Sequence, residues 1–255
     1  MNPPTAESTA LAESDRQSTI RGADRRARVI RRQFSEVIAA RTPSLRAKRT
    51  VDFLFAAVGA GLSAPLWLAI AVAIKLDDGG PVFYRQQRWG KLGRQFHVLK
   101  FRTMVTESDE QFGIRQASQG DIRITRVGRI LRATGMDELP QLLSILKGDM
   151  SLVGPRALAV GEAFNGQGTP RGANSDLEEC TYANVPGFYE RLSVLPGLTS
   201  LATVYLPKDV DAARKFRYDV FYVRRRTLVL DVKLILHSFW ISVSGRWEKV
   251  GKKGS

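Results

Sequence analysis

Apolar and polar positions divide the chain into a long uncharged segment and a mixed region behind it. Residues 53–74 contain no charged side chain in 22 positions, which is long enough for a helix that enters a membrane. A buried core helix is the alternative, but such helices seldom run this far without a polar face. The pattern therefore predicts a membrane helix over residues 48–76.

A proline interrupts this segment near its middle. Pro65 removes one backbone hydrogen bond and clashes with the carbonyl four residues earlier. Ser63 is placed to satisfy a carbonyl freed in this way, since lipid offers no water to do so. Gly59 and Gly61 loosen the same turn. These residues predict a membrane kink, either in a bent helix or in a hairpin that returns to its own side.

Basic residues flank the segment on both sides. They are Arg41, Arg46, Lys48 and Arg49 before it, and Lys75, Arg85, Arg88, Lys91 and Arg94 after it. Positive charge near a membrane segment prefers the cytoplasmic side, and a straight crossing would place one cluster outside. We therefore expect a re-entrant, monotopic segment with both ends in the cytoplasm.

The mixed region predicts an α+β, mainly helical cytoplasmic domain over residues 77–245. Alternation around a glycine-containing turn predicts a β-hairpin over roughly 82–104. Short strands are expected within 150–156 and 195–205. The helical segments are 123–133, 213–226 and 227–243, and the polar loops are 105–122 and 161–186.

Two of these helices have distinctive faces. Four arginines recur every three residues in the first and spread over one broad flank; they are Arg123, Arg126, Arg129 and Arg132. The last helix carries many Leu and Ile and ends in Phe239 and Trp240. It is amphipathic and either lies in the membrane interface or packs on the domain core.

Charge changes the picture further. The net charge of +14 and the pI near 10.3 favour polyanionic partners, namely nucleic acid, anionic lipid or phosphorylated substrates. Two basic tails, residues 1–47 and 246–255, lie outside the domain. The first, expected to be disordered, either contacts anionic membrane lipid or has no specific partner. No nucleic-acid-binding module is visible, so nucleic acid is not an expected partner.

The metal chemistry is limited by composition. Cys180 is the single cysteine, and His97 and His237 are the only histidines. A zinc site built from cysteine or clustered histidine is therefore not expected. A metal in this chain should be a hard cation held by carboxylate and phosphate oxygens, which indicates Mg²⁺ or Mn²⁺.

Adjacent carboxylates form the candidate catalytic centre. Asp137 and Glu138 precede Pro140, which is tolerated only in the first turn of a helix. Gly148 marks the end of that helix. One interpretation is purely structural, with Asp137 as helix cap and Glu138 at the positive helix end. The other is catalytic, with an ionised carboxylate among cations acting as nucleophile.

Basic residues elsewhere favour the catalytic interpretation. Lys100 and Arg102 share one face of the second hairpin strand by period-two alternation. Arg156 follows a Gly-Pro turn, and Arg132 lies five residues before Asp137. Fixed cations around a carboxylate pair suit a phosphate-bearing substrate and a bridging Mg²⁺.

Together these features resemble the bacterial sugar transferases, the monotopic polyprenyl-phosphate phosphoglycosyl transferases. The matching blocks occur in family order over about residues 48–236. They are "KRTVDFLFAAVGAGLSAPLWLAIAVAIKLDDGGPVFYRQQRWG", "FHVLKFRTM", "MDELPQLLSILKGDMSLVGPR", "LPGLT" and "KFRYDVFYVRRRTLVLDVKLI". Several long blocks in order are more specific than any single motif.

The resemblance implies an enzyme of the bacterial inner membrane, with its catalytic domain on the cytoplasmic face. Such an enzyme moves a sugar 1-phosphate from a UDP-sugar donor to undecaprenyl phosphate, a polyprenyl phosphate, and releases UMP. Asp137 would attack the sugar-linked phosphate and form a covalent intermediate, while Glu138 would assist with Mg²⁺ or with proton handling. Lys100, Arg132, Arg156 and, with weaker support, Arg102 would bind substrate phosphate.

Some positions depart from the family pattern. The serine and proline at the kink are separated by Ala64, Ala157 stands where a second proline is common, and Ser200 stands where glycine is usual. The alternative function is a catalytically silent, membrane-anchored scaffold of a polysaccharide assembly complex. Such a scaffold does not require the combination of Asp137, Glu138, Lys100 and Arg156. The sequence leaves open whether the chain forms a homodimer.

Overall fold

The long apolar segment forms one helix, α1 (Leu45–Asp78), in a computed structural model of the protein. The structure describes residues 45–106, 121–161, 182–207 and 210–244, all within one compact unit, Thr42–Ser255. The helix has 34 residues and is therefore about 50 Å long. Within the described ranges it is the one helix long and apolar enough to cross a membrane. The helix predicted over 48–76 is confirmed, with slightly wider bounds.

One face of α1 is covered by the domain along its length. Asp52, Ala56, Ile70 and Ile74 are buried, whereas only 11% of the most apolar stretch as a whole is buried. The opposite face exposes Phe53, Leu54, Phe55, Val58, Leu62, Leu66, Leu68, Val72 and Leu76. A contiguous exposed apolar face marks an interaction site, so α1 fits a membrane anchor.

Polar contacts fasten α1 to the domain near both of its ends. Near the start, Asp52 Oδ2 accepts a hydrogen bond from the Ser151 hydroxyl at 2.8 Å. Near the end, Asp77 Oδ2 accepts one from the backbone N–H of Val127 at 3.0 Å. Both ends are thereby attached to the same domain.

The proline region excludes the hairpin alternative and gives Ser63 a partner other than the expected one. Pro65 lies inside α1 without ending it, so the segment continues as one helix and does not fold back there. Ser63 Oγ donates to the Gly59 carbonyl at 2.6 Å and accepts from Trp67 Nε1 at 2.9 Å. The carbonyl freed by Pro65 is that of Gly61, so Ser63 does not satisfy it as expected.

The predicted hairpin is confirmed. Strands β1 (Phe83–Trp89) and β2 (Gln95–Phe101) pair antiparallel, with Tyr84 opposite Lys100. A 3₁₀ turn, Lys91–Gly93, connects them. Burial alternates along β1, with every second residue half-buried, so the hairpin presents one face to the domain.

Two short strands form a second sheet. Strands β3 (Ser151–Val153) and β4 (Gly197–Thr199) confirm the predicted positions, and they pair in parallel. Gly154 N donates to the Thr199 carbonyl at 3.0 Å. The turn after β3 lies very close to the segment before β4, and a Cβ at Gly154 would lie 2.4 Å from the Leu195 carbonyl oxygen. Only glycine therefore fits at this position.

The remaining described helices complete a mainly helical domain. They are α2 (Arg126–Thr134), α3 (Leu142–Lys147), α4 (Phe188–Arg191), α5 (Leu201–Tyr205), α6 (Ala212–Arg225) and α7 (Leu228–Val243). The predicted arginine flank is wrong at its first member. The Thr125 side chain accepts a hydrogen bond from Gly128 N and caps α2, so the helix begins after Arg123. Arg123 lies before the cap and is buried against Asp121.

Helix α7 packs on the domain core, as one of the two interpretations predicts, and its placement in a membrane interface stays a prediction. Asp231, Leu234 and Ile241 are buried in the domain, while Phe239 and Trp240 are exposed. One face therefore packs on the core, and the other is apolar and uncovered. Tails 1–47 and 246–255 and loops 105–122 and 161–186 lie largely outside the described residues, so their predictions stay untested.

Candidate active site

Asp137 and Glu138 lie in the first turn of a 3₁₀ helix, Met136–Gln141, directly before α3. Helix α2 ends immediately in front of it at Gly135, which has a φ of +71°, a conformation that favours glycine. The chain thus leaves one helix and enters the next through a single residue. This junction fixes the backbone of both carboxylates.

The helix predicted at this point is confirmed, but its first turn is different from the expectation. Gly135 precedes the 3₁₀ helix and no side chain caps it, so the interpretation of Asp137 as the helix cap is wrong. Pro140 lies within the 3₁₀ helix, and Gly148 ends α3 as predicted. The 3₁₀ turn moves the start of the α-helix beyond the carboxylates.

Two basic residues converge on Glu138. Lys100 Nζ, at the end of β2, lies 2.6 Å from Glu138 Oε1. Arg156 Nη2, in the turn after β3, lies 3.4 Å from the same oxygen. The Lys100 side chain is 11% exposed and that of Arg156 is 45% exposed. The site therefore has a buried cation at its base and a more accessible one at its rim.

The two carboxyl groups have opposite pKa shifts. Burial raises the pKa of Glu138, but the charges of Lys100 and Arg156 outweigh it and hold that pKa far below its usual range. Burial raises the pKa of Asp137. The positive charge of Lys100 lowers this pKa, the negative charge of Glu138 raises it, and the net shift is upward. Asp137 is therefore less acidic than expected for a carboxylate among cations, because desolvation outweighs the cations. Such divergence between neighbours is typical of catalytic pairs.

Arg132 and Arg102 lie in different surroundings. Arg132, in the last turn of α2, acts electrostatically on Asp137. Arg102 donates through Nε to the Pro81 carbonyl at 2.7 Å and pairs with Asp78 at the end of α1. The structure thus brings Arg132 to the carboxylates and gives Arg102 a structural role, so we leave Arg102 out of the proposed substrate contacts.

Arg88 is a charged residue of this region whose role was not predicted. Its charge acts on both Glu138 and Lys100, and its Nη1 donates to the Ala157 carbonyl at 2.6 Å. The alternation of β1 could have indicated this role. Arg88 lies on the half-buried face of β1 together with Tyr84, and Tyr84 is the residue that pairs with Lys100.

The side chains that could ligate a metal limit the kind of metal site this domain can form. Within the described ranges, no group of three or more His, Cys, Asp or Glu side chains could hold an ion. Two adjacent carboxylates remain, and Mg²⁺ is commonly bound by one or two carboxylates together with substrate phosphates. Asp137 and Glu138 fit that mode and do not fit a metal site made by protein alone.

The chain combines an apolar helix that fits a membrane anchor with a carboxylate pair set among cations. A model of the family described as bacterial sugar transferase matches residues 43–245. The chain belongs to this family, and it is a phosphoglycosyl transferase.

Curated relatives agree with this assignment. A UDP-glucose:undecaprenyl-phosphate glucose-1-phosphate transferase of Caulobacter vibrioides is 41% identical over 75% of this chain and 67% of its own length. The exopolysaccharide production protein PSS of Rhizobium leguminosarum bv. phaseoli is 39% identical over 74% and 90%. A UDP-N-acetylgalactosamine-undecaprenyl-phosphate N-acetylgalactosaminephosphotransferase of Aeromonas hydrophila is 36% identical over 78% and 44%, so the chain spans less than half of that relative.

Proposed function

We propose that this enzyme transfers a sugar 1-phosphate from a UDP-sugar to undecaprenyl phosphate and releases UMP. The observation that carries the proposal is the Asp137–Glu138 pair held among Lys100, Arg132 and Arg156 in a domain with an apolar anchor. The names of the Caulobacter and Aeromonas relatives support the donor and acceptor classes. The name of the Rhizobium relative supports a role in exopolysaccharide production, and we propose that this transfer is the first membrane step of such an assembly.

The reaction proceeds by two displacements at one phosphorus atom. A carboxylate oxygen of Asp137 attacks the phosphorus that bears the sugar, the bond to the bridging oxygen breaks, and UMP leaves with that oxygen. The product is a sugar-phosphoryl–aspartate. A phosphate oxygen of the polyprenyl phosphate then attacks the same phosphorus. The aspartyl bond breaks, which restores the carboxylate and gives the polyprenyl diphosphate sugar.

The basic residues stabilise the charge that this chemistry handles. Lys100 is positioned by Glu138, and Arg156 at the accessible rim binds the phosphates of the donor. Arg132 supports the same role, since its Nε is buried and has no hydrogen-bond partner within the described ranges. A guanidinium donor beside Asp137 suits an incoming phosphate oxygen.

We also propose Mg²⁺, or Mn²⁺, as the cofactor. Glu138 and Asp137 would hold it together with the phosphates of the donor, as the fit of the carboxylate pair indicates. When bound, the ion would neutralise phosphate charge and orient the leaving group.

The membrane arrangement follows from α1. We propose that α1 enters one leaflet as a helix bent at Pro65, with both ends on the cytoplasmic side of the bacterial inner membrane. Attachment near both ends to one domain, through Asp52 and Asp77, supports this. The exposed faces of α1 and α7 would contact lipid, and exposed basic residues such as Arg46 and Arg225 would attract anionic headgroups. The site then lies where a soluble donor and a lipid phosphate both reach it.

A donor panel tests the proposed function. The protein in membranes, with Mg²⁺, undecaprenyl phosphate and UDP-glucose, UDP-galactose or UDP-N-acetylgalactosamine, should release UMP repeatedly from at least one donor. Omitting the lipid phosphate should limit UMP to about one equivalent per enzyme, and EDTA should lower the rate at least about tenfold. If none of the donors yields UMP above a protein-free control, the proposal fails.

Cysteine labelling tests the membrane arrangement. In a Cys180→Ser background, Arg46→Cys and Lys75→Cys place a thiol at either end of the apolar stretch. In intact cells neither thiol should react with an impermeant reagent, and both should react after permeabilisation. Labelling of one end from outside in intact cells would show that α1 crosses the membrane.

A further inference from the structure

The turn that contains Arg156 is held by hydrogen bonds from three other parts of the domain. Gly197 N donates to the Pro155 carbonyl at 3.0 Å, which anchors the turn just before Arg156. The next two carbonyls, of Arg156 and Ala157, each accept a hydrogen bond from an arginine of another element. Arg88 supplies the bond to Ala157, and Arg191 supplies the bond to Arg156. Arg191 has no role in the chemistry described above.

Arg191 is enclosed completely by the domain. It is 2% exposed and lies at the end of α4. Its Nη2 donates to the Arg156 carbonyl, and its Nε donates to Asp219 Oδ2 at 3.0 Å. Its guanidinium carbon lies 4.4 Å from the ring centroid of Phe216. The group is thus fixed in one orientation by an anion, an aromatic ring and a carbonyl.

Stability alone is a poor reason for this arrangement. Asp219, on α6, is also 2% exposed, and burying two charges costs free energy that their attraction often does not recover. The same two helices are joined by a second ion pair, in which Arg224 Nε lies 2.6 Å from Glu190 Oε1. That pair is largely exposed on its arginine side and could link the helices without the burial cost. What the buried pair adds is the bond to Arg156.

We propose that Arg191 is a positioning residue for donor binding, which holds the Arg156 backbone so that the Arg156 guanidinium faces the phosphates of the UDP-sugar, while Asp219 fixes Arg191. The inference rests on the proposed function. It extends the site from the carboxylate pair to a buried ion pair on α4 and α6 that does not touch the substrate.

The test replaces the ion pair without leaving a lone buried charge. The double variant Arg191→Met/Asp219→Asn removes both charges and keeps the side-chain volumes close. The KM for the UDP-sugar should rise about tenfold or more, as expected for a displaced charged hydrogen bond. The KM for undecaprenyl phosphate and the melting temperature should stay close to those of the wild type. Arg224→Met, which removes the exposed pair, is the matched control and should leave all three unchanged.

Two results would overturn the inference: a donor KM within twofold of wild type, or an equal rise in both KM values, which indicates general damage. A second comparison uses an Arg156→Ala background, in which the double variant should add less than twofold to the donor KM, since its effect acts through Arg156. An undiminished added effect would also overturn it. If that background turns over too slowly to measure, the first comparison decides. Absence of UMP release by the wild-type enzyme would instead contradict the proposed function itself.

Discussion

Asp137→Asn should lower UMP release at least about a thousandfold, the largest loss expected of any single substitution. Asparagine keeps the shape of the side chain, but its amide oxygen is a poor nucleophile and cannot form the sugar-phosphoryl intermediate. Glu138 remains held by Lys100 at 2.6 Å, so the surrounding site is preserved. The measurement is UMP release with the best donor from the panel.

The control for this substitution is Asp149→Asn, just beyond the other end of α3. It should retain turnover within about twofold, because surface substitutions away from a site have small effects. Both variants should sediment with membranes, since neither changes the exposed apolar face of α1. Asp137→Asn turnover close to that of the wild type would exclude Asp137 as nucleophile.

Lys100→Met should reduce turnover about a hundredfold and lower the melting temperature. Lys100 is 9% exposed, and its removal takes away the 2.6 Å contact with Glu138, so that Arg156, at 3.4 Å, is the remaining cation paired with Glu138 among the described residues. Loss of a preorganised cation is worth about 3 kcal/mol in the transition state. Loss of the shorter of the two ion pairs of Glu138 should further cost about 1–3 kcal/mol of folding free energy.

Arg85→Met is the control for Lys100→Met. Arg85 lies on the neighbouring strand β1 and is exposed, so its loss should change turnover by less than about twofold and leave the melting temperature unchanged. Both variants remove one positive charge, so a difference between them reports the effect of the position of Lys100 and not of the net charge of the protein. Equal, small losses in both variants would contradict the assigned role of Lys100.

Local patterns predicted the elements that depend on local sequence. The absence of charge over 53–74 predicted α1, and alternation predicted the hairpin that contains Lys100. Proline at 140 indicated a helix start beside the carboxylates. These features follow from periodicity and backbone restriction, which need no knowledge of distant contacts.

Several contacts that the sequence did not reveal are long-range. The parallel pairing of β3 with β4 places Ser151 opposite Gly197, and Arg191 donates to the carbonyl of Arg156, 35 residues earlier in the chain. Arg102 was expected at the substrate and instead pairs with Asp78. An arginine has the same appearance in sequence whether it faces a phosphate, a carboxylate or a carbonyl. Only the fold decides among these partners.

Trapping of the intermediate tests the central claim most directly. The enzyme is mixed with Mg²⁺ and a UDP-sugar labelled in the sugar, without undecaprenyl phosphate, and is then denatured. We expect label to remain on the wild-type protein, to be absent from Asp137→Asn, and to move to lipid when undecaprenyl phosphate is added before denaturation. Wild-type protein that carries no label while it releases UMP, or equal labelling of Asp137→Asn, would contradict a covalent intermediate on Asp137.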